Sequence, residues 1–169
     1  MSGDTAALML VDRLTDVLLQ SSLESVQVKQ KATFDDCLST VESLLDAEDR
    51  FSEDTNLWDI AQTYASVDQI RSSIRRNQDI CHRIWEFADM IDYDMPNQDK
   101  IIPIAEDMTR MIAEISFCMP FNLKFESHKM QQMLDAQDNT ARIVYAHHSL
   151  TTIHVLRCRL AEIKVLSGR

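Results

Sequence analysis

"LWDIAQTYASVDQIRSSIRRNQDICHRIWEFADMI", residues 57–91, sets Leu57, Ile60, Ala61, Tyr64, Val67, Ile70, Ile74, Cys81, Ile84, Ala88 and Ile91 at steps that return to one side of a helix. The spacing holds nearly to a heptad, the period of a helix lying along another helix, and it lacks the strict alternation of a half-buried strand. It predicts one long helix, on the order of 50 Å at 1.5 Å per residue. A stripe of that length needs other helices to cover it.

Those helices are legible on both sides. Upstream, Ala7, Leu10, Leu14, Val17, Leu18 and Val28 predict a helix over about residues 4–31, and Phe34, Cys37, Leu38, Val41, Leu44 and Leu45 predict a second over about 34–50. Thr33 followed by Asp36 resembles a capping box for the second, although no Gly or Pro divides the two. "RFSEDTN", residues 50–56, is the next break and offers Ser52, Asp54 or Thr55 as an N-cap. Downstream, "YDMPNQD" ends the long stripe at Pro96, with Asn97 or Asp99 as the next cap, and Pro103 fits the first turn of a helix buried through Ile104, Met108, Met111, Ile112 and Ile115. Pro120 stops that helix within the apolar connection "FCMPFNLKF", and Met130, Met133, Leu134, Ala141, Val144, Tyr145, Leu150, Ile153, Leu156, Leu160 and Ile163 mark the last helix. Its weakest point is "DAQDN", residues 135–139, a place for a kink or a turn.

These elements predict an all-α protein: an antiparallel helical bundle of four to five helices, long and partly coiled-coil-like, in a single domain over residues 1–169. Composition agrees, because 169 residues with 45% hydrophobic side chains can bury a core, while two glycines and three prolines supply almost no turns for a sandwich or barrel. Both glycines, Gly3 and Gly168, are terminal, so a glycine-rich phosphate loop or dinucleotide motif is excluded. The net charge of -10 disfavours nucleic acid as a partner, since such binding depends on Lys and Arg neutralising phosphates. Cys37, Cys81, Cys118 and Cys158 are widely spaced, form no CxxC, and read as buried free thiols of a reducing compartment. With neither a signal-peptide pattern nor a run of about 18 apolar residues, the expected location is intracellular, cytoplasmic or nuclear, with no membrane span.

Catalytic motifs do not emerge. There is no GxSxG elbow, and His147, His148 and His154 lack an acid three or four residues away within their stretch, so they read as two surface or boundary imidazoles and one near the core. "DAEDRFSED", residues 46–54, has no calcium-loop pattern and reads as a solvated helix end. No catalytic residue, cofactor or metal ligand is therefore assigned, and the protein is expected not to be an enzyme. The leading expectation is a helical adaptor or structural subunit of an intracellular multiprotein complex, holding other subunits by helix–helix packing in a homo- or hetero-oligomer. The second is a bundle metal-binding protein or enzyme using the clustered histidines. Partner-binding candidates are Arg71, Arg75, Arg76 and Arg83, which flank the apolar stripe, with Trp58, Trp85 and Phe121, because Arg and aromatic side chains dominate binding hot spots. The acids complementary to these arginines lie either in the chain, where Asp68 and Asp79 are nearest, or on another subunit.

Overall fold

A computed structural model of the chain describes Leu14 and residues 34–91, 94–118 and 123–169. The chain divides into two compact units, Met1–Asp36 and Cys37–Arg169. Apart from Leu14, which is helical and exposed, the helix expected over residues 4–31 lies outside the described residues, as does Phe121. The second unit is all-α, and no strand occurs among the described residues. Its helices are α1 (residues 34–48, of which 37–48 belong to this unit), α2 (Leu57–Gln62), α3 (Val67–Asp89), α4 (Gln98–Ser116), α5 (Leu123–Asp135) and α6 (Thr140–Leu166).

Four of them form an antiparallel bundle. Cys37 meets Met90 while Glu48 pairs with Arg76, so α1 and α3 run in opposite directions. Glu42 pairs with Lys164 and Asp46 with Arg157, which sets α1 antiparallel to α6. On the other side of α6, Glu114 faces His148, Asp107 faces Arg159, and the Asn97 side-chain amide donates to the Leu166 carbonyl at 2.9 Å. α4 therefore also opposes α6. The core between them is filled by Leu38, Val41 and Leu45 of α1, Ile70, Ile74, Ile84 and Phe87 of α3, Ile101, Met108, Ile112 and Ile115 of α4, and Ile153, Leu156, Leu160 and Ile163 of α6. α6 buries residues on more than one side because α4 covers one flank and α1 and α2 another.

The helix expected over residues 57–91 is two helices. Thr63 ends α2, with its hydroxyl donating to the Ile60 carbonyl at 2.6 Å. Ser66, in extended conformation, starts α3: its Oγ accepts from the Gln69 N–H at 3.2 Å and its hydroxyl donates to Gln69 Oε1 at 3.0 Å. This Ser-x-x-Gln start is a capping-box variant that the unbroken apolar stripe conceals. The last expected helix likewise divides, into α5 and α6, at residues 136–139. The cap of α2 is Asn56, not Ser52, Asp54 or Thr55, since its side chain accepts from the Trp58 N–H at 3.0 Å. Pro103 falls inside α4, beyond its first turn, where it lacks the N–H that would bond to the Asp99 carbonyl.

Two buried polar arrangements fix how the connections meet the bundle. Asn77 donates from Nδ2 to Tyr145 Oη and Ser149 Oγ, each at 2.9 Å, and to the Ile115 carbonyl at 3.4 Å, while the Tyr145 hydroxyl also donates to Ile115. Burial pushes the Tyr145 phenol well above its ordinary pKa, so it stays a donor. α4 ends just beyond, at Phe117, whose left-handed backbone is unusual for a non-glycine residue and whose ring stacks on Tyr145 with centroids 5.5 Å apart. Arg142, only 6% exposed, donates to the Ala65 carbonyl at 2.6 Å, the Ala136 carbonyl at 3.1 Å and Asn139 Oδ1 at 2.7 Å. One guanidinium thus ties the α2–α3 break to the α5–α6 break. Among the described residues, no helix is long and apolar enough to cross a membrane.

Candidate functional site

The outer face of α6 brings together histidine, cysteine and aromatic side chains. Val144, His147, Thr151, His154 and Cys158 follow one another at alternating steps of three and four and therefore lie along one side of the helix. Two aromatic residues, one from the α1–α2 connection and one from α2, rest on this line. Trp58 stacks on His147 with ring centroids 3.7 Å apart and planes 7° from parallel, and Phe51 stacks on His154 at 4.0 Å and 27°. Both rings keep a face to solvent, with Trp58 46% and Phe51 45% exposed. Val144, also exposed, extends the apolar strip by one turn.

Beneath Phe51 lies a carboxylate that the sequence concealed. Asp49, expected within a solvated acidic run, has a side chain only 1% exposed. Its Oδ2 lies 3.0 Å from His154 Nδ1 and accepts from Arg157 Nη1 at 3.2 Å, and its Oδ1 accepts from the Phe51 N–H at 3.0 Å. Burial alone would raise this carboxyl; the bonds from His154, Phe51 and Arg157 outweigh it and hold the group below the ordinary carboxylate value. Arg157 Nε also reaches Asp46 at 2.6 Å, so the guanidinium bridges two acids of the same run. Three acids of "DAEDRFSED" find basic partners on other helices, His154 and Arg157 on α6 for Asp49 and Asp46 and Arg76 on α3 for Glu48, while Glu53 and Asp54 are exposed.

The expected thiols also need correction. Cys81 is buried, and burial raises its thiol pKa, but Cys37 and Cys118 are half-buried and Cys158 is exposed. Cys158 Sγ lies 3.7 Å from His154 Nε2, so Cys158, His154 and Asp49 form a continuous chain of contacts. The clue available in the sequence was the four-residue step from His154 to Cys158, which puts both on one helix face. Asp49, more than a hundred residues away, gave no such clue.

The arginines divide into two sets. Arg76 Nε pairs with Glu48 at 3.1 Å and Arg83 pairs with Glu86 at 3.1 Å, neither using Asp68 or Asp79. Among the described residues, Arg71 and Arg75 make no ion pair, and both are exposed one turn apart on α3. Trp85, half-exposed, lies on α3 two residues beyond Arg83. The three histidines face different partners: His147 the Trp58 ring, His148 Glu114 at 3.6 Å, and His154 Asp49. Among the described residues, no group of three or more His, Cys, Asp or Glu side chains is arranged to hold a metal ion. Compared with protein families, curated proteins and solved structures, the chain matches none of them.

Proposed function

We propose that the protein is a non-catalytic helical adaptor or structural subunit of an intracellular multiprotein complex, which holds a partner helix against the outer face of α6. The observation that carries this reading is the aromatic edge formed by Trp58 and Phe51. Each is pinned by a histidine of α6 yet leaves nearly half its surface in water. Rigid, half-exposed aromatics lose little entropy on contact and are the side chains most enriched in binding hot spots. Exposed Arg71 and Arg75, unpaired among the described residues in a chain of net charge -10, supply a second feature suited to an acidic partner segment.

The test is affinity capture with the wild-type chain and with the double variant Trp58→Ala, Phe51→Ala. The wild type retains a stoichiometric partner, and the variant, folded by circular dichroism, binds it at least about 30-fold more weakly, equivalent to roughly 2 kcal/mol. A chain that runs as a compact monomer and captures no stoichiometric partner would defeat the proposal. Charge reversal at Arg71 and Arg75 separates the two features, because a rim contribution changes association rate and salt dependence more than lifetime.

A further inference from the structure

We propose that Cys158 is a nucleophilic thiol served by His154 and Asp49, and that it is a modification site for thiol–disulfide exchange with low-molecular-weight disulfides of the glutathione type. The site shares the outer face of α6 with the docking edge, so the proposal concerns the chain with that face uncovered, and it rests on three features of geometry. Asp49 Oδ2, as a carboxylate oxygen 3.0 Å from His154 Nδ1, accepts the Nδ1 proton, so in the neutral imidazole it is Nε2 that carries the free lone pair. That nitrogen lies 3.7 Å from Sγ, within reach of the thiol proton. Phe51, stacked at 4.0 Å, holds the imidazole plane, and the Phe51 N–H holds the other Asp49 oxygen. A nucleophile, a base and an orienting acid thus occur in the order used by activated thiols.

What surrounds the thiol suits exchange and not acyl transfer. Cys158 is exposed, so a disulfide can reach it. It also lies in the interior of α6, where backbone N–H groups are committed to helical bonds, and an acyl intermediate would find no backbone oxyanion donors there. Exchange needs none. As the thiol proton passes to His154 Nε2, Sγ attacks one sulfur of the disulfide, the new S–S bond forms and the old one breaks. The departing thiolate then takes the proton from the imidazolium and leaves as a thiol. The products are a mixed disulfide on Cys158 and one free thiol, so no further oxidant is required.

The test treats the full chain at pH 7 with oxidised glutathione, and maps adducts at all four cysteines by mass spectrometry over time. Cys158 in the folded wild type reacts first, at least about tenfold faster than the same cysteine in urea-unfolded chain, a threshold set below the roughly hundredfold low end typical of a positioned general base. His154→Gln removes the advantage, and Asp49→Asn reduces it. The wild-type rate also depends on pH less steeply below neutrality than that of His154→Gln, a difference that a merely structural histidine would not produce. The comparison between folded and unfolded wild type needs no variant, so poor folding of either substitution leaves the test decisive. A folded-state rate at Cys158 no faster than in the unfolded chain, or one unchanged in folded His154→Gln, would overturn the assignment.

Discussion

Replacing Arg142 with methionine tests whether one buried cation organises the two helix breaks. Methionine keeps most of the side chain's apolar stem and removes three donated bonds, to Ala65, Ala136 and Asn139. Asn139 is exposed, so its side chain returns to water at little cost. The two backbone carbonyls lose charge-assisted bonds worth about 1.5 kcal/mol each at the low end of their range. Part of that is offset, because the variant no longer confines a guanidinium away from solvent, which leaves a net loss of about 2–3 kcal/mol. For a domain of this size the loss lowers Tm by about 4–12 °C, readable by circular dichroism at 222 nm and by urea unfolding. Arg142→Lys falls between wild type and Arg142→Met, since a compact ammonium cannot span all three acceptors. Because the acceptors are neutral, the difference persists in high salt, whereas an ion pair would be screened. Stability of Arg142→Met within about 0.5 kcal/mol of wild type would refute the reasoning.

Two further substitutions probe the buried groups. Asn77→Asp turns the donor that serves Tyr145, Ser149 and Ile115 into a buried acceptor facing a carbonyl, and destabilises by at least about 3 kcal/mol in urea unfolding. Asn77→Leu loses less, because Tyr145 still donates to the Ile115 carbonyl, and equal losses would contradict the assigned network. Asp49 is held below its ordinary value of 3.8, so its ionised form stabilises the fold fully above about that pH, and this contribution disappears as pH falls through the lower folded value. Asp49→Asn is accordingly less stable than wild type at neutral pH by roughly 1–2 kcal/mol, and the two converge in acid. Urea midpoints that stay equally far apart below about pH 3 would show that the carboxylate charge is not the cause.

Much of the fold was legible because α-helices announce themselves through local spacing. The stripes of α1, α3, α4 and α6 name most of the core, including Leu38, Val41, Ile70, Ile74, Met108, Ile112, Leu156 and Leu160. Breaks were harder where apolar periodicity continued across them: the Thr63–Ser66 break depends on the Ser66–Gln69 cap, and its Ala65 carbonyl is met by Arg142 from α6. Trp58 was named from its residue type, yet nothing local could pair it with His147 or show that half of it stays in water.

The sequence by itself determined the helical class, the approximate helices and the absence of glycine-rich nucleotide motifs, because each follows from composition or from contacts three to seven residues apart. Only the tertiary structure decided which charges are surface and which are held. Arg76 and Arg83 spend their charge within the chain, Arg71 and Arg75 do not among the described residues, and the acids at 46–49 are anchors for other helices. The Cys158–His154–Asp49 arrangement shows the same division. Its first two members are joined by the helical repeat, and the third arrives only when α1 packs antiparallel to α6.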